Sequence, residues 1–132
     1  MLKDLTNRAD VSLLVHAFYS KIRADKEINF YFNEMISDWD EHLEKLTNFW
    51  EMNLFGGKMY TGDPLQAHVK VEHNFSGKIG PNEFGIWLNY WAQTIDELFA
   101  GENAAILKLR ARKMGTFIYM AMFNSRTKES LQ

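Results

Sequence analysis

The chain has 132 residues, a net charge of −2 and no cysteine. A single globular domain spanning residues 1–132 is the expectation, and disulfides, thiolate metal sites, a cysteine nucleophile and cofactor attachment through a C-x-x-C-H motif are excluded. The acidic balance argues against a nucleic-acid binder, the apolar runs are too short to cross a membrane, and the opening residues lack the apolar core of a secretory signal, so a soluble cytoplasmic protein, monomeric by default, is expected.

In chain order, Val11, Leu14, Val15, Phe18, Tyr19 and Ile22 recur at helical spacing and predict an amphipathic helix over residues 10–24. Residues 28–36 are short and aromatic, enough for one or two helical turns. Asp38 with Glu41 three residues on forms a capping box that opens a helix through Leu43, Leu46, Phe49, Trp50 and Leu54, and Gly56-Gly57 ends it. Asp63-Pro64 starts a short helix over residues 64–69, and residues 73–80 read as loop. Gly80-Pro81 with Glu83 starts a long helix to residue 99, carrying Phe84, Trp87, Leu88, Trp91, Ile95 and Leu98. Gly101 separates it from a last helix over residues 103–123, whose inward residues are taken as Ile106, Leu109, Met114, Phe117, Ile118 and Ala121; residues 127–132 are expected to fray. No stretch alternates as a strand does, so the fold is all-α.

Ten Phe, five Tyr, four Trp and seven Met are heavy use of flat and polarisable side chains for a chain of this size. They either fill a core or surround something large and flat. The four histidines, His16, His42, His68 and His73, have neither Glu-x-x-His nor His-x-x-x-His spacing, so di-iron and zinc sites do not fit. No G-x-S-x-G turn supports a serine hydrolase. Lys108, Arg110, Arg112 and Lys113 read as the solvated face of one helix rather than a nucleic-acid contact.

Several ordered motifs together resemble one family. These are Phe18-Tyr19-Ser20-Lys21-Ile22, Tyr31-Phe32-Asn33, Trp39-Asp40-Glu41-His42 with Thr47-Asn48-Phe49-Trp50, Tyr60-Thr61-Gly62-Asp63-Pro64-Leu65-Gln66-Ala67-His68, and Phe84-Gly85-Ile86-Trp87-Leu88. Their order and spacing over residues 13–123 resemble the truncated haemoglobins of group III. The resemblance implies a two-over-two helical sandwich around non-covalent haem b, with His68 as proximal iron ligand. It implies walls from Phe32, Leu46, Phe49 or Trp50, Leu65 and Trp87, and a distal side made of Tyr19, His42, Leu46 and Trp87. Two features depart from the family pattern. The stretch between His68 and Trp87 is long, and Ala67 stands where relatives often have a basic residue, which leaves Lys58, Tyr60, Lys70 and His73 as candidate propionate partners.

The function so implied is reversible binding of dioxygen, with NO and CO as further ligands. Dioxygen on ferrous iron gathers negative charge, and Tyr19 and Trp87 are donors able to hold it. An enzyme, acting as an NO dioxygenase or with peroxidase-like chemistry, is the alternative; it would need an external reductase, since the chain carries no flavin or nicotinamide motif. A helical interaction domain without cofactor is the third reading.

Overall fold

The structure is a computed structural model that describes residues 1–56, 67, 68 and 79–131. Among the described residues there are helices and no strand. Helix α1 spans Arg8–Ala24, α2 Asn29–Met35, α3 Trp39–Phe55, α4 Pro81–Leu98 and α5 Glu102–Leu131. Residues 67 and 68 are helical, and the rest of the expected helix over 64–69 lies outside the described residues. Helix α1 packs on α3 and on α4, α4 packs on α5, and α3 touches α5, giving two helix pairs laid against one another.

Capping chemistry sets most of the boundaries. The Asn7 side chain accepts the Asp10 N–H and starts α1 one turn before the first apolar residue of the periodic run. Asp38 accepts the Glu41 N–H at 3.1 Å and starts α3, which Gly56 ends at φ 85°, a conformation that favours glycine. Glu83 reaches back to accept the Gly80 N–H at 3.1 Å, so Pro81 opens α4 with its missing N–H at no loss. The last helix departs from expectation in two ways. It continues to Leu131 rather than fraying from residue 127, since nothing after Gly115 in this stretch breaks a helix. Its buried face is Ala104, Leu107, Ala111, Ile118 and Met122, while Leu109 and Phe117 point outward.

The main core gathers around Phe18 and Trp91. Phe18 meets Tyr19, Trp87 and Trp91 edge to face, at ring separations of 4.7, 5.0 and 5.0 Å. Trp91 stacks on Trp50 at 4.6 Å and on Trp87 at 5.7 Å, and its indole N–H donates to the Leu107 carbonyl at 3.2 Å. Polar ties outside this core join the same helices: Arg8 to Asn48 and Glu51, Lys21 to Glu97, Lys108 to Asp96, and the Tyr90 hydroxyl to Asp25 at 2.6 Å.

The N-terminal segment caps the last helix from across the sequence. Asp4 accepts the N–H groups of Asn103 at 2.9 Å and Ala104 at 3.0 Å, and the Asn103 side chain donates to the Leu5 carbonyl at 2.8 Å. Gly101 sits beneath this contact at φ 142°, where a Cβ would lie 2.5 Å from the Asp4 carboxyl carbon. Gly101→Ala is therefore expected to lower the unfolding free energy by about 2 kcal/mol, seen as a lower urea midpoint at unchanged m. Desolvation pushes Asp4 up, but the N–H groups of Asn103, Ala104, Leu5 and Glu102 outweigh it and hold it below the usual carboxylate range. A hydrogen bond from Lys3, reinforced by Thr6, holds Asp10 low as well. Their stabilising effect is complete above the unfolded carboxylate pKa of about 4 and is lost as pH falls through the folded values. Asp4→Asn should flatten the acid limb of a stability–pH curve while lowering stability near neutrality.

Candidate functional site

The core is divided. One buried cluster runs through α1, α3, α4 and the first half of α5; a smaller one joins Ile79, Ile118 and Met122, with Tyr31, Phe84 and Met114 packed on it. Between the two lies a cavity of about 380 Å³, within the range of roughly 300–1,000 Å³ usual for small-molecule sites. An interior normally closes on itself, because side chains around a void forfeit contacts on one side. A space of this size between two apolar clusters fits a large apolar guest.

Eight residues singled out from the sequence, Tyr19, Phe32, His42, Leu46, Phe49, Trp50, His68 and Trp87, line this one cavity. Phe49 and Trp50 both reach it, Trp50 while also stacking on Trp91. Leu65 lies outside the described residues, as do Lys58, Tyr60, Lys70 and His73. Lining residues not assigned to the site from the sequence are Tyr31 and Met35 on α2, Lys45 on α3, Glu83 and Phe84 on α4, and Met114, Gly115, Ile118 and Met122 on α5, of which Met114 and Ile118 were expected only as inward positions of their helix. The signal for the α5 set was the charge-free run from Met114 to Phe123, which marks a helix segment with something apolar to face. Gly115 leaves space where a methyl carbon would fit, its nearest neighbours being Leu88 at 3.7 Å and Phe84 at 3.9 Å.

Polar groups are few and placed at separate points of the wall. Burial pushes the Tyr19 hydroxyl far above the ordinary phenol range, opposed in part by a hydrogen bond from Trp87. The indole N–H can only donate, so the Tyr19 oxygen accepts and its own proton stays available to another acceptor. His42 sits between two aromatic rings, edge to face with Tyr19 at 6.1 Å and with Trp39 at 5.8 Å. On its other side Trp39 carries the Arg23 guanidinium over its ring, 4.4 Å from the centroid. Burial lowers the pKa of His42, and the charge of Lys45 and the nearby imidazole of His68 lower it further. His42 is thus held neutral, and its coupling to His68 sets two imidazoles on the same space. Among the described residues no buried side-chain polar atom lacks a partner, and the Thr47 and Thr94 hydroxyls are satisfied within their own helices by the Leu43 and Tyr90 carbonyls.

The residues present fit a haem group. The walls are aromatic and aliphatic and suit a broad apolar disc; His68 offers one axial imidazole, and Lys45 is a cation at the cavity able to meet a carboxylate. No family model matches the chain. The group 3 truncated hemoglobin ctb of Campylobacter jejuni is 30% identical over 115 residues, which are 83% of this chain and 86% of that protein. The crystal structure of a group III truncated hemoglobin from the same organism aligns with a TM-score of 0.82 at 26% identity, covering 92% of this chain and 95% of that one.

The electrostatics of His42 give a direct check. Removing the positive charge with Lys45→Gln should raise its pKa toward the ordinary histidine value of about 6.5, read from its imidazole proton shifts in an NMR titration. A histidine whose folded pKa is depressed costs stability as pH falls, because the unfolded chain then binds the extra proton. The variant should lose less stability than the parent between about pH 7 and pH 5.

Proposed function

The chain belongs to the group 3 truncated haemoglobins, and from that premise we propose that it binds haem b in the cavity between its two core clusters and takes up dioxygen there. The observation that carries this reading is the divided core: an apolar space of about 380 Å³ with two imidazoles and a buried phenol on its walls. Bound there, haem would supply an iron able to take dioxygen, NO or CO.

His68 is the proximal ligand in this reading. Its support is a helical backbone and a place on the cavity wall, on a different element from Tyr19 and Trp87. Tyr19 is the hydrogen-bond donor to the gaseous ligand. Burial keeps its proton on at any physiological pH, so the donor is never lost to ionisation. Trp87 lines the cavity beside Tyr19, where its N–H is able to donate to the phenol oxygen and leave the Tyr19 proton for the ligand. His42, neutral and wedged between Tyr19 and Trp39, lines the distal side without ligating iron, and Leu46 lies one turn further along the same helix. Lys45 is added to the candidate partners of the haem carboxylates. A hydrogen bond to a charged partner contributes roughly 1.5–3 kcal/mol, and each 1.4 kcal/mol is tenfold, so Tyr19 alone slows oxygen loss by one to two orders of magnitude. The protein works as a monomer, and a separate reductase returns its iron to the ferrous state.

His68→Ala is expected to lose the Soret band that the wild-type chain develops with added haemin, and to regain it with free imidazole. The deoxy ferrous protein should show one broad visible band; a sharply split band would assign His42 to the iron and overturn its distal role. Tyr19→Phe should speed oxygen release by about tenfold or more while changing CO release much less. Trp87→Phe should also alter oxygen release, and its effect should not add to that of Tyr19→Phe, since both act through one hydroxyl. An unchanged oxygen off-rate in Tyr19→Phe would make Tyr19 a packing residue and leave the haem reading intact.

A further inference from the structure

Helix α5 carries a second apolar face that the cavity does not use. From Met114 to Phe123 its ten residues include no charge. A segment apolar all round is ordinarily buried all round. Here one face turns inward through Ile118 and Met122, while Phe117, Met120 and Phe123 remain 65%, 54% and 49% exposed and Leu109 extends the stripe at 52%. Arg112 and Lys113 lie along the same outward arc by helical spacing. Lys108 is paired with Asp96, but among the described residues no carboxylate pairs with Arg112 or Lys113. Among the described residues the result is an apolar strip with a basic rim that no carboxylate pairs.

We propose that this outer face of α5 is the docking site of an acidic iron–sulfur electron-carrier protein that reduces the haem. This rests on the haem reading above. Charge selects the class of partner: a second copy pairing this face antiparallel would set Arg112 and Lys113 against its apolar strip and leave them without a counter-charge, whereas an acidic surface neutralises them. Extent selects the kind of complex: the strip runs roughly 20 Å along one helix, which suits the small, short-lived encounters of electron carriers, generally under about 1,200 Å². Phe, Met and Arg are also the side chains enriched at interface centres. Position supplies the function. The cavity lies on the opposite side of the same helix, through Met114, Gly115, Ile118 and Met122, so a protein seated on Phe117 and Met120 stands about one helix diameter, roughly 10–12 Å, from the guest. The step is a single electron transfer: the reduced cluster loses one electron, the ferric haem iron gains it and becomes ferrous, and no bond or proton moves. A one-electron acceptor matches a carrier that delivers electrons singly.

The test uses the haem-loaded protein and a plant-type [2Fe–2S] ferredoxin, an acidic carrier, as the probe. NMR titration with oxidised ferredoxin should give saturable shifts at Phe117, Met120 and Phe123, weakening by about tenfold or more between roughly 50 and 500 mM salt. Stopped-flow reduction of the ferric protein by reduced ferredoxin should slow by about tenfold or more in Arg112→Glu/Lys113→Glu and in Phe117→Ser, while reduction by dithionite stays at the wild-type rate. The proposal is overturned if ferredoxin gives no salt-sensitive shifts at this face, or if the charge-reversed variant binds and is reduced as wild type. It is equally overturned if the face proves to bind phosphatidylglycerol vesicles in preference to ferredoxin, or if light scattering finds a dimer that Phe117→Ser dissolves. Failure of the haem reading is separate and shows first, as the absence of a Soret band on adding haemin.

Discussion

Trp91 is the point at which four helices are fixed to one another. Its ring is stacked by Trp50 of α3 and by Trp87 one turn earlier on α4, Phe18 of α1 meets it edge-on, and its N–H is bound to a carbonyl of α5. Each of these contacts has a preferred geometry, so the set leaves little freedom for the helices to slide. The cavity side chains inherit that order directly. Tyr19 follows Phe18 in the chain and rests against it, and Trp87 is held between Trp91 and Phe18. Tyr19 and Trp87 thus reach the cavity wall from positions set in the dry core, not at the cavity itself.

How much of this was legible depended on how local the determinant was. Asp38 with Glu41, Pro81 with Glu83, and the glycines at 56 and 101 act within a few residues, and the helix boundaries follow from them. The register of α5 did not follow, because a segment apolar on every side carries no bias between its faces; Phe117 looked like core and is solvent-facing. The cap that Asp4 places on α5 joins residues 99 or more apart in sequence, and no local pattern announces it. The family resemblance pointed to Tyr19, Phe32, His42, Leu46, Phe49, Trp50, His68 and Trp87 among the cavity residues, whereas Met35 and Lys45 carry no local signal for it. Composition alone had left open whether the aromatics were core or wall. They are both: Trp50 and Trp87 stack within the core on one side and face the cavity on the other.

The stretch of cavity wall that carries Tyr19 and His42 holds ionisable groups neutral. Tyr19 resists losing its proton and His42 resists gaining one, and burial is the leading cause in each case. Charge is confined to the margin, where Lys45 and Glu83 stand, and to Arg23, which lies on the outer face of Trp39. Burial thus favours the neutral form of both groups, the protonated phenol and the unprotonated imidazole.

Gly115 places stability and capacity in opposition. It sits inside a long helix, where alanine would be favoured by about 1 kcal/mol, and a methyl group there would meet Leu88 and Phe84 only at ordinary contact distance. Nothing in the apo fold resists the exchange. Selection for thermal resistance in the absence of the guest would therefore accept alanine at this position, and with each such step the slot between the two clusters would narrow. A lineage or a laboratory screen that rewarded only a rigid, well-packed chain would drift toward a closed helical bundle, better folded and empty-handed.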